Sequence, residues 1–315
     1  MSSIPRDAPF DSTLDLLAEG YDFMANRRRA LHSDIFATRL LLQEAVCLVG
    51  PEAARLFYEG DRLTRRGGMP ITTLTLLQDF GSVQMLDGAA HHCRKEMFMA
   101  LMNPNGIQRL VDCAADHWRE RIPVWAGRER VTLFPALQGL YCRAVCAWAG
   151  IPLTEAEARE RTREFAAMLA GSGAIGPRNW RGQLLRLRTE WWARGVIEQI
   201  RDGSRQAPAG SAAQVIATHR DLDGNLLEPG DAVVELINVL RATTAVARFV
   251  TFAALALHDQ PEWRERLQTA DDAERERFVQ EVRRFYPFFP FIGAQVLVDL
   301  DWRGHHFAEG TWLIL

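Results

Sequence analysis

Arg241 stands in the middle of an apolar run, with Val233, Val234, Leu236, Ile237, Val239 and Leu240 before it and Val246, Phe249, Val250, Phe252 and Leu255 after it. A guanidinium keeps its proton, so in an apolar setting it needs an anion or a dense set of hydrogen-bond acceptors. Its neighbours at helical spacing are Ile237, Asn238, Thr244 and Ala245, none of them acidic. The partner must come from another element or from a ligand: a carboxylate of the protein, as buried charges usually find, or the carboxylate of a bound molecule. Further on, Glu281 and Arg284 lie one helical turn apart and can pair. By itself that spacing is common by chance. Tyr286-Pro287-Phe288-Phe289-Pro290-Phe291 says more, because two prolines forbid helix and four aromatics make a rigid apolar wall. Such a turn suits a core plug or the lining of a pocket for a long apolar ligand.

Holding these residues calls for long helices. The spacing predicts one over 232–257, capped by Asp231. It would be roughly 40 Å long, and being apolar nearly all round it would be buried in a large core. Before it, helical periodicity marks 11–28, 89–101, 107–125, 134–149, 155–170, 181–202 and 212–220. Strand-like runs occupy 35–42 and 45–49, and Gly50-Pro51 opens another helix. The stretch 61–88 reads as irregular. After the central helix, 273–286 is helical up to Pro287, and strand-like runs at 294–300 and 311–315 close the sequence. The expected fold class is mainly α with a small β-sheet, as a single domain over 1–315.

Composition narrows the classes of function. With 315 residues, 48% of them hydrophobic and 24% charged, the chain can bury a sizeable core. A net charge of -3 argues against a nucleic-acid partner. Lys95 is the only lysine among the basic residues. The five cysteines (Cys47, Cys93, Cys113, Cys142, Cys146) show no Cys-x-x-Cys spacing and read as buried small hydrophobes in a reducing compartment. The other histidines form no ligand set, Asp271, Asp272 and Glu274 suit a helix start, and Trp191-Trp192 suits core or channel lining. A polar N-terminus and the lack of any uninterrupted apolar run of about 18 residues predict a cytoplasmic protein without a membrane span.

A long central helix, then Glu-x-x-Arg, then an aromatic-proline turn and a β segment is an order that resembles the cytochrome P-450 fold. Three segments sharpen the resemblance to its fatty-acid peroxygenase branch, which hydroxylates fatty acids with hydrogen peroxide: 83–91 (VQMLDGAAH), 235–241 (ELINVLR) and 279–291 (VQEVRRFYPFFPF). The likeness covers essentially the whole chain. It implies a haem cofactor, a long-chain fatty acid and hydrogen peroxide as partners, and no obligatory redox partner. Arg241 would bind the substrate carboxylate, and Gln84 would lie over the haem face. His91, Lys95 and Arg65 would contact the haem propionates. Glu281 and Arg284 would be the structural pair of the fold, and Phe288, Phe289 and Phe291 would border the substrate channel.

Conventional monooxygenases of this fold carry an acid–alcohol pair in the central helix, whereas here the stretch is Leu240-Arg241-Ala242-Thr243-Thr244. A substrate carboxylate held by Arg241 could supply the missing general acid and base. Two departures from the family pattern stand out. Ala242 replaces a usual proline and should straighten the helix locally, and the glycine-rich loop with the haem-ligating cysteine is absent up to Leu315. The expectation is therefore an incomplete domain, inactive alone, whose parent is a peroxygenase acting at the α or β carbon. The alternatives are an oxygen-dependent monooxygenase needing a redox partner, and a non-catalytic fatty-acid-binding fragment.

Overall fold

The computed structural model describes residues 4–315. The helix expected over 11–28 is divided into α1 (Thr13–Glu19), a short 3-10 turn and α2 (Phe23–Leu31), with Gly20 at φ +57° making the division. β1 (Ile35–Leu40) and β2 (Gln43–Leu48) form an antiparallel hairpin. α3 (Pro51–Tyr58) opens on its proline as expected. The stretch expected to be irregular holds β3 (Leu63–Thr64) and α4 (Ile71–Leu77). The Ile-Thr-Thr start of α4 is β-branched and a poor helix former, so sequence pattern alone does not reveal it.

α5 (Gly88–Leu101), α6 (Pro104–Ala126), α7 (Leu133–Trp148), α8 (Glu155–Gly171), α9 (Pro177–Arg201) and α10 (Ala212–Thr218) follow close to expectation. A reciprocal Thr154–Glu157 capping box fixes the start of α8. The predicted central helix is two helices, α11 (Pro229–Thr244) and α12 (Ala247–Asp259). α11 begins at Pro229 with Glu228 as its N-cap, so Asp231 sits in the first turn and is not the cap. The helix runs through Ala242, and the break comes later, where Val246 N bonds Thr243 O and Arg248 N bonds Ala245 O at three-residue spacing. α13 (Pro261–Thr269) and α14 (Asp272–Phe285) precede β4 (Gly293–Val296), β5 (Leu300–Trp302), β6 (His305–Phe307) and β7 (Trp312–Ile314).

The chain forms two compact units. One holds the residues up to Leu74 with Gln84–His91 and Phe289–Leu315. Its five-stranded sheet has the order β1-β2-β7-β4-β3, with β2 and β7 parallel and the other pairs antiparallel. Close packing in this unit requires glycine at Gly68 and Gly293: a Cβ on Gly293 would lie 1.8 Å from the Gly68 carbonyl.

The other unit holds Thr75–Val83 and His92–Phe288. Its core joins α7, α9, α10 and α11, with Leu236, Ile237 and Leu240 fully enclosed. α11 is thus buried as its sequence predicts. α12 is not: Ala247 is its only buried residue, and Val246 and Leu255 are exposed. Among the described residues, Pro229–Asp259 is the one helical stretch long and apolar enough by composition to cross a bilayer, with a third of its most apolar window buried inside the protein. The fold class is mainly α with a small sheet, as expected.

Candidate functional site

Glu235, Asn238 and Arg241 recur every third residue along α11, which places them on one stripe of an otherwise apolar helix. The stripe faces the segment 75–83 and holds it by its backbone. Arg241 donates from Nη1 to the Leu76 carbonyl (2.7 Å) and from Nη2 to the Leu77 carbonyl. Asn238 Nδ2 donates to the Gln78 carbonyl (3.4 Å), and Glu235 Oε1 accepts from the Val83 amide (2.7 Å). Arg94, from α5, donates to the Gly81 carbonyl (3.1 Å). Gly81 has φ +81°, a left-handed conformation that favours glycine, and a Cβ there would come within 2.1 Å of Asp231 Oδ1 and push that carboxylate aside. The stripe is also linked along itself, since Asn238 Nδ2 donates to Glu235 Oε2 (3.2 Å) and Asn238 Oδ1 accepts from Arg241 Nη2 (2.7 Å).

Three arginines are buried around this segment, and their partners differ. Arg94 meets Glu235 at 3.0 Å and Asp231 at 3.5 Å. Arg186, from α9, meets Asp79 and Glu190, each at 2.6 Å. Arg241 is 3% exposed, and among the described residues no carboxylate lies within ion-pair distance of it. Its acceptors are two carbonyls and a neutral amide. Burial pulls its pKa down to about 9, the positive Arg186 adds to the fall, and Asp79 opposes it. The side chain is still protonated at neutral pH. Burial also raises the Glu235 carboxyl, against the stabilising effects of Asn238, Arg94 and the Val83 amide.

The other residues singled out by sequence fall as follows. Gln84 is the middle residue of a 3-10 turn over Val83–Met85, and its buried Oε1 has no hydrogen-bond partner. Arg65 lies over the rings of Phe57 and Tyr58 and takes part in no ion pair among the described residues. His91 and Lys95 are one turn apart on α5, with Lys95 exposed. Phe288 stacks on Phe249 (centroids 5.1 Å), and its carbonyl accepts from Arg248. Phe289 is partly exposed, whereas Phe291 is buried with Phe23, Phe36 and Trp312 as part of a core. Glu281 and Arg284 pair on the exposed face of α14 at 2.5 and 2.7 Å, and Arg284 holds the Glu281 carboxyl below its usual range. A cavity of about 530 Å³ lies beside this pair, lined in part by Trp263, Phe278 and Phe285.

Among the described residues no group of His, Cys, Asp and Glu is arranged to hold a metal ion. Of the five cysteines expected to be buried, Cys47, Cys142 and Cys146 are, in strand and helix cores, whereas Cys93 and Cys113 are only partly buried. Sequence reasoning missed Arg94, Asp79 and Arg186 entirely and left Glu235 and Asn238 without a role. The one available signal was their three-residue spacing ahead of Arg241.

No family model matches the chain. Solved structures do. Cytochrome P450SP alpha (CYP152B1), in complex with (R)-ibuprophen, is 42% identical with a TM-score of 0.93; the match covers 98% of this chain and 75% of that one. The chain belongs to the CYP152 family of fatty-acid peroxygenases. Cytochrome P450EX alpha (CYP152N1) with myristic acid is 37% identical at a TM-score of 0.94, over 100% of this chain and 76% of that one. A variant of cytochrome P450 OleT in complex with arachidonic acid is 28% identical at 0.94, over 100% and 75%. Like these relatives, the CYP152 chain described here has the P450 fold, and it spans about three quarters of their length.

Proposed function

We propose that this chain is the substrate-selecting part of a haem-dependent peroxygenase that hydroxylates long-chain fatty acids at the α or β carbon with hydrogen peroxide, without a redox partner. The observation that carries this reading is Arg241, a buried cation without a carboxylate partner beside two buried arginines that each have two. A fatty-acid carboxylate completes that set. The myristic and arachidonic acids bound by P450EX alpha and OleT have the chemistry such a site would take.

In this reading Gln84, whose buried Oε1 has no partner, lies over the haem face, and the basic side chains of Arg65, His91 and Lys95 have the charge that the haem propionates would need. Haem, when bound, would activate the peroxide, one oxygen of which enters the C–H bond while the other leaves as water. The protein's task is to place the substrate and its proton carrier. Arg241 holds the carboxylate ionised; the carboxylate takes a proton from peroxide and returns it to the departing oxygen, which leaves as water. Thr243 and Thr244 do not replace it, because their hydroxyls donate to the carbonyls of Val239 (3.0 Å) and Leu240 (2.9 Å) in their own helix.

The test is turnover of myristate, with hydrogen peroxide alone, by the haem-loaded parent protein that carries this part. Arg241→Ala is expected to lower kcat/KM by about 100-fold or more, as expected when a charged hydrogen-bond partner is removed from a desolvated site. Turnover only with reduced electron carriers and dioxygen would favour a monooxygenase. Tight binding without turnover would favour a carrier of acyl chains.

A further inference from the structure

We infer that Asn238 is the residue that keeps Arg241 open to a ligand carboxylate, and that Glu235 and Arg94 hold its amide in the orientation this requires. The inference rests on reading Arg241 as the carboxylate anchor and adds what makes it one.

The amide has only one workable orientation. Its oxygen faces the Arg241 guanidinium at 2.7 Å, and its nitrogen faces Glu235 Oε2 at 3.2 Å and the Gln78 carbonyl at 3.4 Å. A guanidinium only donates and an ionised carboxylate only accepts. Turning the amide over would set its hydrogens against the guanidinium and its oxygen against the carboxylate, so every one of these bonds would be lost. Glu235 is fully enclosed and is fixed in turn by Arg94 (3.0 Å) and the Val83 amide (2.7 Å). Arg94, Glu235, Asn238 and Arg241 therefore form a chain in which each member settles the direction of the next.

The neutral link matters most. Aspartate has nearly the shape of asparagine, and an oxygen 2.7 Å from Arg241 would then carry negative charge. Arg241 would become an internal ion pair like Arg94 and Arg186, with its charge already met. Asparagine satisfies the guanidinium's hydrogen bonding and leaves its charge unneutralised. Position 238 thus sets whether the site accepts an anion; in an aspartate variant the second carboxylate oxygen would meet Glu235 Oε2, so Asn238→Asp is made together with Glu235→Gln, whose amide can donate to it.

The experiment measures binding of myristate and of methyl myristate, an uncharged ligand with the same chain, by titration calorimetry. The wild type is expected to prefer myristate by at least about tenfold, a difference of ~1.4 kcal/mol. Asn238→Asp in the Glu235→Gln background is expected to abolish that preference while its affinity for the ester stays within about twofold of the Glu235→Gln protein. Glu235→Gln, which removes the charge that orients the amide, is expected to reduce the preference without affecting the ester. An Asn238→Asp protein in that background that keeps the wild-type preference overturns the inference. So does one that loses both ligands together, since that marks a role in folding or pocket shape. A wild type with no preference for the acid removes the anchor itself, and the inference with it.

Discussion

An ordinary guanidinium keeps its proton throughout the working pH range, but burial, with the nearby Arg186, pulls the Arg241 pKa down to about 9, where a binding assay can reach it. A bound carboxylate favours the protonated guanidinium, so affinity for a fatty acid is full below about 9 and falls as pH rises through it. Myristate binding measured from pH 7 to 10 should be flat at first and then weaken, whereas methyl myristate binding should not change. At this scale Arg241 was legible in the sequence, because an arginine without an acid at helical spacing in an apolar run is conspicuous. Its surroundings were not. The Leu76 carbonyl it contacts lies 165 residues away in the chain, and a backbone carbonyl leaves no mark in residue type.

Among the elements, the segment 75–83 shapes the site most and was the least visible. It reads as irregular, but its first three residues end α4 and Val83 opens a 3-10 turn; only 78–82 lie outside any helix or strand, and the segment is held by side chains of α11 and α5. Gly81 fixes its path. Gly81→Ala forces a left-handed φ on a residue with a Cβ and drives that Cβ into Asp231, so it should destabilise the protein by about 1–3 kcal/mol. Urea unfolding would measure the loss. Weaker myristate binding should accompany it, because the carbonyls that hold Arg241 belong to the same segment. The length and burial of α11 followed from its apolar composition, but the break at Ala245–Val246 did not. Periodicity spans a one-turn interruption without registering it, and no proline or glycine marks the place.

For the molecule as a whole, the dominance of helix and the small sheet could be read from periodicity and from proline and glycine placement. The sheet order could not. The parallel pairing of residues 45–47 with 312–314 joins strands from nearly opposite ends of the chain, and alternation of side chains says nothing about which strands meet. Lys95 has a practical consequence at this scale. As the only lysine, exposed on α5, it gives the chain a single side-chain primary amine. An amine-reactive reagent therefore modifies one internal position without any engineering. Peptide mass spectrometry after brief acetylation should find Lys95 fully labelled in haem-free protein and protected once haem is bound, if a propionate engages it. Equal labelling in both states would remove Lys95 from the cofactor's surroundings. The near-exclusive use of arginine thus turns an accident of composition into a built-in chemical reporter for cofactor loading.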